Sequence, residues 1–343
     1  MMRRTLLTLM IGGLGGGLAT LASLPLSWML GALFMVLLAS LAGVRTGVDR
    51  RLHRSSIAML GLFIGNRVDL SELSHLVQWY PSVLAMLVYM VLMLVGGSWL
   101  FRLSGMSRQS ALFCAFPGSM NGVVILAERL GGDIRWIAIT HAVRMVIVVL
   151  SAVLMASYLA GGITLTEASD GFHWQSLYLL ALAPACWWLG GRLRLPLPEF
   201  LGPIAAGATL SSLGYGVTMP DLLLVATFLV LGSTIGSRFA GSSLRQLLAV
   251  GRYGLLFALY AVLMAAATAW LVASATTLPF RAVLLALLPG GIGEMAVIAV
   301  ALDIDPVYVV SHHVLRLLLL IVFTPAMVAL IRRRQRSAEE RTR

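Results

Sequence analysis

Two histidine–arginine pairs, His141/Arg144 and His313/Arg316, are the side chains of this sequence best placed to do chemistry. In each pair the residues are three apart, about one helical turn, so the imidazole and guanidinium share a face and can act together. An aspartate precedes each pair, Asp133 and Asp305. At 100° per residue the Asp, His and Arg of each block fall within an arc of about 80° on one helix face. Upstream of each block lies a Pro-Gly step, Pro117-Gly118 and Pro289-Gly290. Laid over one another at an offset of 172, PGSMNGVVILAERLGGDIRWIAITHAVR and PGGIGEMAVIAVALDIDPVYVVSHHVLR agree at seven of 28 positions. Pro, Asp, His and Arg are scarce here, so their joint recurrence points to internal duplication.

Free amides and a positive dipole end mark the start of a helix. Half-helices following Pro117 and Pro289 would offer both, and two nearby arginines would favour a small anion such as a carboxylate or phosphate-like group. The candidate binding set is Pro117, Gly118, Ser119, Asn121 and Arg144 from the first block, with Pro289, Gly290, Gly293 and Arg316 from the second. Glu294 is the only carboxylate in the tip half of either block; its aligned partner is Gly122, while Asn121 aligns with Gly293. The blocks are therefore chemically unequal. Glu294 is the candidate carrier of a coupling proton, with His141, His312 and His313 as relays. The structural alternative is that hairpin carbonyls, or Glu128 and Glu294, simply satisfy the two arginines. Neighbouring His312 and His313 point about 100° apart on a helix and make a poor metal pair. No HxxxH ligand spacing occurs, so neither metal nor cofactor is expected.

The elements that must position these groups follow from composition. The 343 residues are 59% hydrophobic and 11% charged, with mean hydropathy +0.93, whereas soluble chains carry about 25% charge. Apolar runs of roughly 18 or more residues recur, so the expected class is an all-α polytopic membrane protein with the lipid bilayer as its first partner. All 25 basic residues are arginine, which removes a Walker lysine and a Schiff-base amine and speaks against an enzyme. Cys114 and Cys186 lie in apolar segments and offer no disulfide framework. Six arginines fall in the tail 332–343. Such a tail can bind anionic lipid or nucleic acid, but its simplest role is to hold the C-terminus in the cytoplasm.

In chain order, the basic apolar opening resembles a signal peptide but is read as a retained span, because its counterpart at 174–192 is internal. Further spans are expected at 25–43, 55–68 and 81–101, after an amphipathic stretch at 71–80. A segment at 107–132 is interrupted at Pro117-Gly118, and a long helix at 133–159 closes the first repeat, 1–159. A linker, 160–173, leads into the second repeat, 174–331, with spans at 200–214, 222–235 and 253–274, an interrupted segment at 279–302 and a final helix at 303–331. At an offset of 171, Gly61, Gly65 and Arg67 match Gly232, Gly236 and Arg238.

Arginine placement decides between parallel and inverted repeats. If the interrupted segments fold back as re-entrant hairpins, each half has about five spans and the halves are inverted. With a cytoplasmic N-terminus, the arginines at 45–54, 102, 108, 192–194, 238–252 and the tail then face inward, as the positive-inside rule requires. Six parallel spans would put Arg192, Arg194, Arg238, Arg245 and Arg252 outside. Each hairpin arm of roughly 10–14 residues would reach about half the hydrocarbon thickness. Paired breaks at mid-depth mark binding sites in secondary transporters. A guanidinium there costs about 2.5–3.5 kcal/mol on insertion scales and is a functional-site hypothesis by default.

The two Pro-Gly blocks, the second ending in HHVLR, resemble the AbrB-like membrane protein family, which is marked by an internal duplication. That resemblance covers nearly the whole chain and implies an integral protein of the bacterial inner membrane. Names attached to the family include a regulator of gene expression and an ammonia monooxygenase. The AbrB name is shared with an unrelated soluble DNA-binding regulator, whose small β-rich module has no counterpart here. Copper ligands expected of a monooxygenase are missing. The leading expectation is a secondary transporter or exporter of a small anionic metabolite, with an indirect effect on gene expression as the alternative and a monooxygenase last. Both termini are expected in the cytoplasm and no direct nucleic-acid contact is expected, since no soluble domain exists to enter a groove. A homo-oligomer is left open.

Overall fold

The computed structural model describes residues 1–67, 78–118, 120–159, 178–215 and 220–342. The linker at 160–173 and most of the amphipathic stretch at 71–80 lie outside the described residues. Among the described residues all regular structure is helical, in 14 helices. Five are long and apolar enough to cross a bilayer: α1 (Met2–Leu21), α4 (Tyr80–Leu103), α7 (Ile134–Leu159) over Ile134–Met155, α11 (Leu244–Ala275) and α14 (Pro306–Thr342) over Pro306–Ala329. The polarity is inside-out relative to a soluble protein. On α4, Val88, Val91, Val95 and Trp99 are each at least 60% exposed, while His141, Arg144, Glu294, His312, His313 and Arg316 are buried. An apolar rim around a polar interior is the build of a helical membrane protein.

Shorter helices fill the spaces between. They are α2 (Ser27–Leu41), α3 (Arg50–Asn66), α8 (Tyr178–Arg192), α9 (Pro198–Ser212) and α10 (Asp221–Ser237). The remaining four come in two broken pairs, α5 (Arg108–Ala115) with α6 (Met120–Arg129), and α12 (Phe280–Leu287) with α13 (Ile292–Ala301). Each broken piece is only 8 or 10 residues long, about 12–15 Å of helix. Burial is deepest in α13, where every residue from Gly293 to Ala301 is buried.

Three boundaries differ from the sequence reading, each for a local reason. Helix α3 starts at Arg50 rather than near 55, because the Asp49 carboxylate accepts the Arg51 amide at 2.7 Å and caps it. Helix α11 starts nine residues before 253, at a capping box in which Ser243 and Gln246 satisfy each other's backbone amides. The last helix does not stop at 331 but runs to Thr342. The expected tail, RRRQRSAEERT, has no glycine or proline and is rich in strong helix formers.

The backbone repeats its unusual positions at the offsets seen in the sequence. Left-handed Leu26 (φ 47°) and Leu197 (φ 51°) precede α2 and α9, and Ser23 and Arg194 share the conformation just before them. Non-glycine residues rarely adopt it. Helix α3 packs on α9, and α10 packs on α2, so each pair draws one helix from each half of the chain. Gly65 and Gly236 make these contacts possible: a Cβ on Gly65 would collide with the Ile204 carbonyl oxygen, and one on Gly236 would crowd that of Leu33. The two breaks are thereby brought to the centre, where α13 touches α3, α7, α10 and α14.

Candidate functional site

Both breaks follow from proline chemistry. Pro117 and Pro289 have no amide hydrogen to donate, and each forces the preceding residue out of helical geometry. Phe116 (ψ 129°) and Leu288 (ψ 133°) are accordingly extended. Helices α5 and α12 therefore end with unpaired carbonyl oxygens deep inside the protein, where an unsatisfied group costs about 1–3 kcal/mol.

The His-x-x-Arg pairs satisfy them. His141 Nε2 lies 2.9 Å from the Phe113 carbonyl oxygen, and Arg144 donates to Phe116 O at 2.9 Å and more weakly to Gly118 O at 3.4 Å. One block later, His313 Nε2 lies 3.0 Å from Leu285 O, and Arg316 donates to Leu288 O at 3.0 Å and Gly290 O at 2.9 Å. Every partner is displaced by 172 residues from its counterpart. Each arginine also meets its own histidine, at 3.3 Å for Arg144 to His141 Nδ1 and 2.8 Å for Arg316 to His313 Nδ1. A guanidinium only donates, so Nδ1 accepts and the proton sits on Nε2, where it donates to the carbonyl. A cation at the C-terminal end of a helix also meets the negative end of its dipole.

This geometry corrects two expectations. Both ring nitrogens of His141 and His313 are engaged, one by a carbonyl and one by a cation, so neither ring has a nitrogen left to relay a proton. His312 turns away from the site altogether. Its Nε2 lies 2.8 Å from Ser82 Oγ and its Nδ1 2.9 Å from Tyr308 O, and its ring packs near Tyr308 and Trp79. The roughly 100° between adjacent helical residues sends His313 to the break and His312 to α4. The alternative in which hairpin carbonyls hold the arginines thus describes their main contacts. Glu128 is exposed and takes no part.

Both arginines nevertheless face a cavity of about 510 Å³ in which the two breaks meet. Pro117 and Gly118 line it from the first block; Pro289, Gly290, Gly293 and Glu294 line it from the second. Ser119 lies outside the described residues, as does the Asn121 side chain. Arg144 and Arg316 are 6% and 5% exposed, and Arg144 Nε is a buried donor with no partner among the described residues.

The cavity residues unrecognised as such in the sequence include His53 from α3, Glu199 from α9, and Thr234 with Arg238 from the end of α10. Arg238 lies 3.8 Å from Glu294, Glu199 lies 3.9 Å from Arg54, and Thr234 Oγ1 lies 3.5 Å from His53 Nδ1. A signal for three of them existed. At the offset of 171, His53 stands opposite Leu224, Glu199 opposite Trp28 and Thr234 opposite Phe63. A polar side chain in one half facing an apolar one in the other marks where the halves diverged. The cavity wall carries Arg50, Arg144, Arg238 and Arg316 against Glu199 and Glu294, a formal excess of two positive charges. An anion of a few heavy atoms would find donors and charge there together.

Comparison with known proteins places this arrangement. The family model described as "Transition state regulatory protein AbrB" matches residues 28–332. A protein of Bacillus subtilis (strain 168) named "Uncharacterized protein YhjN" is 26% identical over 359 residues, covering 94% of this chain and 91% of its own. A protein of Escherichia coli (strain K12) named "Putative regulator AbrB" is 29% identical over 319 residues, covering 90% of each. The family match takes in both Pro-Gly breaks and both His-x-x-Arg clasps, and the chain is therefore a member of the AbrB family.

Proposed function

We propose that this protein is a secondary transporter or exporter of a small anionic metabolite, built from two inverted repeats of about five spans whose re-entrant broken helices meet at its binding cavity. The observation that carries this reading is the cavity's excess of arginine over glutamate at the point where both breaks converge. Inversion is supported by the arginine distribution, and the duplication by the reciprocal exchange of helices between halves, α3 on α9 and α2 on α10. The cavity is walled by the start of α3, the start of α9 and the end of α10, all beside arginine-rich segments. On the positive-inside rule those ends face the cytoplasm of a bacterial inner membrane, so the conformation is inward-open with both termini cytoplasmic. Transport rather than enzymatic turnover is the activity this chemistry suits.

Detergent-purified protein screened against small carboxylates and oxyanions should gain thermal stability with at least one of them. Counterflow of that anion in proteoliposomes should drop about tenfold or more in Arg144→Lys and Arg316→Lys, which keep the charge but lose the planar fork. If no anion stabilises or exchanges on monodisperse protein, the transporter reading fails.

The family description and the E. coli relative's name favour a second reading, an indirect influence on gene expression through a cytoplasmic partner. Under it, trimming residues 332–343 abolishes the phenotype while changes at Arg144 spare it. Reversal of that pattern supports the carrier.

A further inference from the structure

One charge pair in the cavity was not supplied twice by the duplication. Arg238 aligns with Arg67, yet Arg67 is exposed and stacks over the Phe63 ring at 4.8 Å. Glu294 aligns with Gly122, which has no side chain to ionise. The pair also differs from the clasps in its grip. Arg144 and Arg316 each hold two carbonyl oxygens and a histidine. Arg238 meets Glu294 at 3.8 Å, outside hydrogen-bond reach, with its side chain 24% exposed against 5% for Glu294.

The Glu294 carboxylate has a particular seat. It folds back over Gly291, the residue that precedes α13, where any Cβ would collide with it. A protein carboxylate therefore occupies the N-terminal end of the second half-helix, beside the amides and dipole that an incoming anion would use. Across the same cavity Arg144 Nε is buried and has no partner among the described residues. The other charged or titratable groups facing this space are Arg50 and His53 on α3, Glu199 on α9, Arg144 and His141 on α7, and His313 and Arg316 on α14. Cations dominate, so taking up an anion and neutralising an internal carboxylate favour each other.

We propose that Glu294 is the protein's internal stand-in for the transported anion, and that Arg238 exchanges its carboxylate for the ligand's when Glu294 takes up a proton. This rests on the carrier reading above and gives it a coupling rule. A proton entering through the cavity neutralises Glu294, frees Arg238 and opens the N-terminal end of α13. The anion then binds in the carboxylate's place, so anion and proton occupy one loaded state and move in the same direction. Arg238 is the ligand-contacting cation, and the two clasps hold the frame around it.

The test uses sulfate and trifluoroacetate, whose charges stay constant between about pH 5 and about pH 8, so any pH dependence belongs to the protein. Binding to the full chain in detergent is read by thermal shift and by proton uptake in weakly buffered solution. Wild type should bind about tenfold or more tighter at the lower pH, with proton uptake accompanying anion binding. Glu294→Gln, nearly isosteric, should bind equally at both pH values and take up none; Arg238→Gln should bind weakly at both, with Arg238→Lys partly restoring it. A pH dependence or proton uptake retained in Glu294→Gln overturns the proposal, as does wild-type affinity in Arg238→Gln. Binding by wild type with no proton uptake rejects the exchange but keeps the carrier reading. If neither wild type nor Glu294→Gln binds either anion, both fall together.

Discussion

His313 accepts a hydrogen bond from Arg316 at 2.8 Å while donating to a carbonyl one turn from the end of α12. The histidine is what aims the arginine. Its second ring nitrogen is fixed by Leu285 O, so the imidazole cannot turn, and the guanidinium is held in the plane that reaches Leu288 O and Gly290 O. The first block repeats this with longer contacts, 3.3 Å and 3.4 Å in place of 2.8 Å and 2.9 Å. The two clasps share a plan and differ in strength.

That difference predicts unequal sensitivity. Arg316→Ala removes two charge-assisted hydrogen bonds, of 3.0 Å to Leu288 O and 2.9 Å to Gly290 O, at about 1.5–3 kcal/mol each. Arg144→Ala removes one good and one weak bond, and should cost less. Thermal unfolding in detergent should show the larger fall in Tm for Arg316→Ala; equal falls would contradict the clasp geometry.

Helix exchange between halves makes Gly65 intolerant. Gly65→Ala puts a methyl group against the Ile204 carbonyl and should reduce folded yield and stability by about 1–3 kcal/mol. Gly17, on α1 with nothing within 4 Å of an added Cβ, is the control. Gly17→Ala should be neutral or slightly stabilising, since alanine is the better helix former by about 1 kcal/mol. Comparing monodisperse yields of the two variants checks this directly.

Orientation can be read from one matched pair of positions. Ala42 and Leu213 are exposed, follow α2 and α9, and correspond at the offset of 171. In a chain with Cys114 and Cys186 replaced, Ala42→Cys and Leu213→Cys should label from opposite sides with a membrane-impermeant thiol reagent. The reagent should reach the second in intact cells and the first only in inside-out vesicles. Labelling from one side would make the halves parallel and sink the inverted arrangement.

His312 separates a structural role from the proposed transport. Ser82→Ala removes its 2.8 Å partner and should destabilise by about 1 kcal/mol. Anion affinity and its pH dependence should stay as in wild type, because neither side chain lines the cavity. A changed pH profile in Ser82→Ala would return His312 to the coupling path.

Much of this was legible in the chain. Hydropathy marked the helices, the prolines marked both breaks, and recurrence of His and Arg marked the side chains that hold them. Asp133 and Asp305 recur for a simpler reason: each carboxylate accepts two amides at the start of the following helix. The pattern put His313 on the face of Arg316 but could not say what His312, about 100° away, would meet. Nor could it separate Arg238 from Arg67, which match in type and position and differ in what the surrounding helices leave open.

By itself, then, the sequence determined what is set along one helix: where it starts, where proline breaks it, and which side chains lie one turn apart. Only the tertiary structure decided what depends on several helices converging. It turned Arg144 and Arg316 toward carbonyl oxygens first and a cavity second, and it brought Arg238, 56 residues away in the chain, to 3.8 Å from Glu294. The reason is physical: spacing fixes the direction of a side chain from its own axis, but its partner depends on how closely neighbouring axes pack, and here residues as small as Gly65 and Gly236 set that distance.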